Sequence, residues 1–324
     1  MAELRHGRAG LPEGEPLVGG FLHDVRRILL ADGSRVVVKR IGRRSTDASG
    51  GDRFRLGESV ARAAVRHSIP AVPAYLVADG DPVLCLGDTE LLFYPDVPGT
   101  ILSTADRAAD PDRCRRAGEL LARIHLLDLP QRPFSDAGET PLWDTMEDVP
   151  WDRLLAGLRR RTGGGPSRAD AALLTHWSRA YADVLPGLSG RSCVGHGDLA
   201  PRNIIVHGHE DAVIDWEHAG LTEPWTELAV VALDWSSGPG VGVNRAAFSA
   251  VVNGYLATAG GGSPDPNALV GRAGRLLAWL LYNSRLAMRH GTEPYLERVE
   301  TTLQLLRVQA DLMTELTTWF TQVR

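Results

Sequence analysis

Lysine is nearly absent from this chain of 324 residues, since Lys39 is the only one and every other basic side chain is arginine. An excess of arginine and alanine is typical of a GC-rich genome. A position that stays lysine under such a bias is a candidate functional residue, because the compact ammonium group suits a phosphate oxygen. The alternative is that one lysine survives by chance.

Cysteine is also scarce. The three cysteines, Cys85, Cys114 and Cys193, form no CxxC pair, which argues against a disulfide framework and against a structural zinc site. No apolar run approaches the roughly 18 residues of a membrane span, and residues 1–15 lack the apolar segment of a secretory signal. We therefore expect a soluble, cytoplasmic protein with no membrane partner.

An excess of positive charge is missing as well. The formal net charge is -5 at pH 7, so the chain lacks the basic footprint that nucleic-acid binding requires, and we expect no nucleic-acid partner. The hydrophobic content of 44% is sufficient for a buried core. The length allows two domains or one large bilobal unit.

The first hundred residues predict a mostly antiparallel sheet with one helix. Residues 16–41 form two apolar stretches around Asp32 and Gly33, which is a strong hairpin signal. Lys39 lies near the end of the second stretch. The apolar spacing over 54–67 predicts a helix, and the segment that follows contains further short strands.

The remainder is predicted to be mainly helical, so the fold class is α+β. Asp110 followed by Pro111 marks a helix start, and glycine-rich connectors separate some of the later segments. Helices are predicted over 151–161, 167–185, 220–233, 244–257, 272–288 and about 293–323.

Residues 196–203, with the sequence HGDLAPRN, contain the strongest candidate site. A hairpin over 204–214 would bring Asn203 beside Asp215, with Asp198 five residues back on the preceding loop. A few hard oxygen donors with room for phosphate are what Mg²⁺ prefers, and a separate carboxylate can accept a hydroxyl proton. The alternative is that Asp198 and Asn203 are ordinary turn formers.

HGDLAPRN together with VIDWE at 213–217 resembles the motif pair of the aminoglycoside phosphotransferase and choline kinase-like families, which are relatives of the protein kinases. The resemblance covers residues 16–290 and implies a bilobal, protein-kinase-like fold. A nucleotide-binding N-lobe would span 1–96, and a helical C-lobe over 97–324 would carry the catalytic loop and the substrate pocket. The reaction implied is transfer of the γ-phosphoryl group of ATP or GTP, with Mg²⁺ as cofactor, to a hydroxyl of a small molecule.

The same resemblance implies residue roles. Asp198 is the catalytic base, Asn203 and Asp215 are the metal ligands, and Lys39 grips the α and β phosphates with Glu58 as its ion-pair partner. The remaining nucleotide-binding residues are Gly19 and Gly20 in the phosphate-covering loop, and Tyr94 and Val97 in the hinge segment expected to bind adenine.

Two departures from the protein kinases are informative. Gly197 stands where they carry arginine, and the chain leads almost at once from Asp215 into an apolar helical segment, which leaves no room for a long activation loop. We therefore expect a constitutively active small-molecule kinase. The role of Glu217 stays open between a contact near the metal, a substrate contact and a solvated carboxylate.

The acceptor is expected to be an antibiotic, such as an aminoglycoside, inactivated for resistance or self-protection. Ketosamine, sugar and choline-like acceptors are alternatives within the same class. Other classes are a regulatory pseudokinase and a metal hydrolase that uses His196 and Asp198. The protein would be a monomer or a dimer. The acidic residues that could receive an amine-bearing acceptor are Asp144, Glu217, Glu223, Glu227 and Asp234.

For three further residues the sequence predicts only a general role. His196 is expected to brace the catalytic loop through hydrogen bonds, and His125 to pack in the core. Arg202 either contacts a phosphate or lies on the surface.

Overall fold

The computed structural model describes residues 14–17, 23–41, 50–102, 110–130, 148–162, 166–188, 192–208, 210–238, 242–291 and 293–322. The chain forms two compact units. The sheet unit comprises Met1–Asp106, Leu127–Ala137 and His196–Gly220. The helical unit comprises Arg107–Leu126, Gly138–Gly195 and Leu221–Arg324. The lobe boundary expected at residue 96 stays a prediction.

The main sheet of the sheet unit is antiparallel throughout. Its strands are β1 (Glu15–Pro16), β2 (Asp24–Leu29), β3 (Arg35–Ile41), β4 (Leu84–Leu86) and β5 (Thr89–Pro95). They lie in the order β1-β2-β3-β5-β4. This arrangement confirms the antiparallel sheet predicted for the first hundred residues.

The turn between β2 and β3 has the predicted hairpin chemistry. Gly33 has a φ of 84°, and the amide of Leu30 donates to the carbonyl of Ser34 at 2.8 Å. Glycine adopts this left-handed conformation at no steric cost. On β3, Lys39 lies opposite Val25 of β2 and Leu92 of β5, and it is buried.

One helix and three more strands complete the part of the sheet unit that the structure describes. Helix α1 (Gly50–Arg66) confirms the predicted helix, although it begins earlier than expected. Strands β6 (Thr100–Ile101), β8 (Ile204–His207) and β9 (Glu210–Val213) form a second antiparallel sheet. The pairing of β8 with β9 confirms the hairpin predicted after HGDLAPRN.

The helical unit contains the remaining elements. Short strands are β7 (Cys193–Gly195), β10 (Gly220–Thr222), which begins at the last residue of the sheet unit, β11 (Ser237–Gly238) and β12 (Gly242–Val243). The helices are α2 (Pro111–His125), α3 (Trp151–Thr162), α4 (Arg168–Leu188), α5 (Pro224–Ser236), α6 (Arg245–Ala259), α7 (Asn267–His290), α8 (Tyr295–Asp311) and α9 (Met313–Thr321).

Most helix predictions are confirmed. Asp110 caps α2 by accepting a hydrogen bond from the amide of Arg113 at 3.1 Å, with Pro111 in the first turn. The single helix expected over 293–323 is wrong, because the chain breaks at Leu312 between α8 and α9. In the described part of the chain, no helix has the length and apolarity needed to cross a membrane.

Helices α2 and α6 approach each other backbone to backbone. A Cβ atom added to Gly118 on α2 would lie 1.9 Å from the carbonyl oxygen of Val251 on α6. A Cβ atom added to Gly254 on α6 would lie 2.1 Å from the carbonyl oxygen of Arg115 on α2. The spacing of the two helices therefore depends on a glycine in each.

Candidate active site

The loop that carries HGDLAPRN has a backbone that requires glycine at its second position. Gly197 has a φ of 77°, and a Cβ atom there would lie 2.0 Å from the carbonyl oxygen of His218. Both the left-handed conformation and the close approach exclude a side chain. This gives a physical reason for the departure from the arginine of protein kinases.

Asp198 and Asn203 lie against each other. The Nδ2 group of Asn203 donates to Asp198 Oδ2 at 2.9 Å and to the carbonyl oxygen of Asp198 at 2.8 Å. The guanidinium of Arg202 donates to Asp198 Oδ1 at 2.5 Å, although half of the Arg202 side chain is exposed. Both carboxylate oxygens of Asp198 are thus oriented by neighbours in the same loop, while a contact of Arg202 with a phosphate stays a prediction.

His196 braces this loop, as expected. It is fully buried, packs against the ring of Trp216, and donates from Nε2 to the carbonyl of Ile214 at 3.2 Å. Its Nδ1 atom accepts from the amide of Asp198 at 3.2 Å. Through these two bonds the imidazole ring connects the backbone of Asp198 to that of Ile214, the residue before Asp215.

Asp215 follows directly after that segment. The amide of Ile214 donates to the carbonyl of Asn203 at 3.0 Å, so the residue before Asp215 is bonded to the other predicted metal ligand. Asp215 has a φ of 64° and a ψ of 58°. Non-glycine residues held in this left-handed region are uncommon and concentrate at functional sites.

Lys39 is brought to Asp215. Its ammonium group donates to Asp215 Oδ1 at 2.6 Å and to the carboxylate of Glu217. Burial alone would lower the pKa of Lys39, but the charges of Glu217 and Asp215 outweigh it and raise the pKa above its ordinary value. Lys39 is therefore a buried cation at the candidate site.

Glu217 is a central residue of the site that the sequence left undecided. It is 8% exposed, so it is not the solvated carboxylate considered above. Besides Lys39, it lies 3.3 Å from Nε2 of His23 and 3.4 Å from Nε2 of His218. Burial raises the pKa of Glu217, but Lys39 and the two histidines lower it by a larger amount. The pKa of Glu217 is therefore well below its usual range.

Glu58 does not form the salt bridge expected with Lys39. Its carboxylate accepts from the amide of Ala74 at 2.6 Å and from the hydroxyl of Tyr94 at 2.9 Å. Burial raises the pKa of Glu58 in spite of these bonds. The physical reason for the difference is that Asp215 and Glu217 supply Lys39 with two closer carboxylates.

The other predicted site residues have varied positions. Tyr94, expected at the adenine hinge, is half-buried and its hydroxyl donates to Glu58, and Val97 is half-buried after β5. Glu223 caps α5 by accepting from the amide of Thr226 at 2.7 Å. Asp234 lies 3.5 Å from a guanidinium nitrogen of Arg272. Those outside the described residues are Gly19, Gly20 and Asp144.

Sequence reasoning missed a buried network at the end of β7. Glu227 is 1% exposed and accepts from Nε2 of His125 at 3.0 Å, while the hydroxyl of Tyr255 donates to Nδ1 of His125 at 2.9 Å. A Cβ atom on Gly195 would lie 1.8 Å from Glu227 Oε2. Glu227 is thus not open to an amine-bearing acceptor, and it instead supports the residue that precedes HGDLAPRN.

The donor set fits a hard cation. Asn203 offers an amide oxygen and Asp215 a carboxylate whose second oxygen is not engaged by Lys39, and oxygen ligands of this kind suit Mg²⁺. The described residues contain no group of three or more His, Cys, Asp or Glu side chains that could hold a metal ion on its own. Such a site therefore needs oxygen ligands from elsewhere, such as phosphate.

The chain is similar in sequence or in fold to known phosphotransferases and kinases. Viomycin phosphotransferase of Streptomyces vinaceus is 27% identical over 180 residues, and the match spans 50% of this chain and about half, 51%, of that relative. A spectinomycin phosphotransferase crystallised with ADP and spectinomycin has a TM-score of 0.63 at 12% identity, with 94% of this chain and 92% of that one covered. An ethanolamine kinase of Plasmodium vivax has a TM-score of 0.61 at 14% identity, with 92% and 83% covered.

These structural similarities confirm the predicted kinase-like α+β fold. The sequence itself matches the model of the phosphotransferase enzyme family over residues 13–260, which is most of the chain and includes Lys39 and the loop from His196 to Asn203. The chain therefore belongs to the phosphotransferase enzyme family.

Proposed function

We propose that this protein transfers the γ-phosphoryl group of ATP or GTP to a hydroxyl of a small-molecule antibiotic, as a resistance or self-protection enzyme. The observation that supports this proposal most is that the sheet unit contains two side-chain contacts between predicted site residues. Asp198 is oriented by Asn203, and Lys39 is bonded to Asp215. A base, a metal-binding pair and a phosphate-binding cation are the parts that phosphoryl transfer needs.

In this proposal Asp198 holds the acceptor hydroxyl and takes its proton. Its carboxylate is only 17% exposed, and the bonds from Asn203 and Arg202 fix its direction. Lys39 holds the phosphates as a buried cation. Positioning and charge neutralisation of this kind account for most of the rate enhancement in phosphoryl transfer.

Asn203 and Asp215 would hold Mg²⁺ with the nucleotide. The bound ion would neutralise charge on the phosphate oxygens. Because Asp215 has one oxygen on Lys39, both residues would act on the same triphosphate, the lysine directly and Asp215 through the ion.

Two classes of acceptor have support. The similarity to viomycin phosphotransferase favours an antibiotic, with amine-bearing peptide antibiotics to be tested beside aminoglycosides. The structural likeness to an ethanolamine kinase favours an amino alcohol such as choline as the second candidate. Ketosamines and sugars remain for the same panel.

The test is nucleotide-dependent phosphorylation across that panel, followed as ADP or GDP release with Mg²⁺. Asp198→Asn is the variant, and Asp32→Asn in the exposed β2–β3 turn is the matched control. We expect Asp198→Asn to lower kcat by at least 100-fold, the lower end of what a general base contributes, while nucleotide binding persists.

Each result decides a different point. Phosphorylation of one acceptor by the wild type and by Asp32→Asn, but not by Asp198→Asn, supports the proposal and identifies the substrate class. Equal turnover by Asp198→Asn would remove Asp198 from the site. Tight nucleotide binding without turnover on any acceptor would favour a regulatory pseudokinase, and no nucleotide binding would refute the kinase proposal.

A further inference from the structure

The partner of Lys39 is the feature of the site that differs most from expectation. Two carboxylates hold its ammonium group, and one of them, Asp215, is a predicted metal ligand. A carboxylate that turns to a metal ion can no longer neutralise the lysine to the same extent. The second carboxylate, Glu217, would then still be bonded to the lysine.

Neighbouring residues contact both the side chain and the backbone of Glu217. It is 8% exposed, and the imidazoles of His23 and His218 lie 3.3 and 3.4 Å from its oxygens. Its own carbonyl accepts from Nε of Arg53 at 2.9 Å, and the guanidinium of Arg53 is also bonded to His218. The backbone of Glu217 is thus held by Arg53 of α1, and its side chain is contacted by His23, which lies just before β2.

The backbone around Glu217 is equally constrained. A Cβ atom on Gly57 of α1 would lie 2.2 Å from the carbonyl oxygen of Trp216, so the helix lies directly against the turn Trp216–His218. The same helix carries Glu58, whose carboxylate is engaged by Ala74 and Tyr94. Helix α1 therefore supports the lysine through Glu217 and not through its own glutamate.

We propose that Glu217 is the positioning residue for Lys39 in nucleotide binding, in the role that family resemblance gives to Glu58. This inference rests on the proposed function for its nucleotide. The Lys39–Glu217 contact itself exists without one, which allows the two proposals to be tested separately.

The single lysine makes the test direct. Protein grown with lysine labelled with ¹³C at Cε gives one side-chain resonance, that of Lys39. The variants are Glu217→Gln and Glu58→Gln, with Glu119→Gln on the surface of α2 as the matched control. Each is measured without nucleotide by NMR and then titrated with ATP, in the presence and absence of Mg²⁺, by calorimetry.

We expect Glu217→Gln to shift the Lys39 resonance and to weaken ATP binding roughly tenfold, the effect of losing one charge-assisted hydrogen bond. Glu58→Gln should shift the resonance less and lower the melting temperature more. Glu217→Asp, which keeps the charge, should recover part of the ATP affinity, and it replaces Glu217→Gln if that variant does not fold.

A resonance that moves with Glu58→Gln but not with Glu217→Gln would overturn the inference, as would ATP affinity that is unchanged in both Glu217 variants. If the wild type binds no nucleotide at all, the proposed function fails, while the resonance still reports whether Glu217 holds Lys39.

Discussion

The close approach of α2 and α6 predicts how replacing Gly118 by alanine changes the stability of the protein. The sign of the change depends on which of two opposing contributions is larger. Replacing Gly118 by alanine inside α2 would, by helix propensity alone, stabilise the protein by about 1 kcal/mol. The added Cβ atom, however, would lie 1.9 Å from the carbonyl oxygen of Val251, whereas an ordinary contact begins at 3.4 Å, so the two backbones must separate by 1.5 Å (3.4 minus 1.9).

A backbone carbonyl in a helix cannot turn aside as a flexible side chain can. Overpacking of this kind costs about 1–3 kcal/mol, and two rigid backbones place the cost at the upper end. With the gain of about 1 kcal/mol subtracted, we expect Gly118→Ala to lower the free energy of unfolding by about 2 kcal/mol.

Gly157→Ala on α3 is the matched control. Its Cβ atom would meet only the ends of flexible side chains, Met288 at 3.4 Å (Cε) and 3.7 Å (Sδ) and Arg160 at 3.9 Å (Nη2). The substitution should therefore raise the free energy of unfolding by about 0.5–1 kcal/mol. Urea unfolding followed by far-UV circular dichroism measures both variants against the wild type. A rise in stability for Gly118→Ala equal to that of Gly157→Ala would show that the described packing of α2 on α6 is wrong.

Two further predictions concern the buried carboxylate of Asp170, which is paired with a half-exposed arginine, and the support of the catalytic loop. Asp170 accepts from Ser167 and Arg307, and although burial raises its pKa, these bonds lower it below the ordinary value. A pKa that is lowered in the native state stabilises the fold at pH values above the unfolded-state pKa of about 3.9. This stabilisation is lost as the pH falls through the native-state pKa. Asp170→Asn should therefore destabilise the fold at pH 7 and progressively less as the pH falls below about 3.9, and a pH-independent difference in urea midpoint would contradict this. Gly195→Ala should displace Glu227 and lower kcat by at least about tenfold with nucleotide affinity little changed. Cys193→Ala on the same strand is its control, and equal kcat values in the two variants would refute the supporting role.

The hairpin after HGDLAPRN could be predicted from the sequence because its signals are local. Two β-branched runs separated by a short turn fix the register, and that register brings Asn203 and Asp215 to one end. Asp110 with Pro111, and Asp32 with Gly33, are equally local signals and were equally reliable.

The partner of Lys39 could not be predicted in the same way. Glu58 lies on the expected helix, but whether its side chain reaches the lysine depends on how α1 packs against Trp216–His218, through the close approach at Gly57. Glu217 gives no sequence signal of its own beyond its place near Asp215. His125 and Glu227 are 102 residues apart, and no pattern in a single sequence connects them.

The glycine before Asp198 limits how this enzyme can be regulated. In protein kinases an arginine at that position can bind a phosphorylated activation loop, so activity follows a covalent signal. Here the left-handed backbone and the carbonyl of His218 leave no room for any side chain at Gly197. A single substitution cannot introduce that arginine without displacing His218, which contacts Glu217. Regulation through an arginine at this position therefore requires a different backbone at the turn that carries His218.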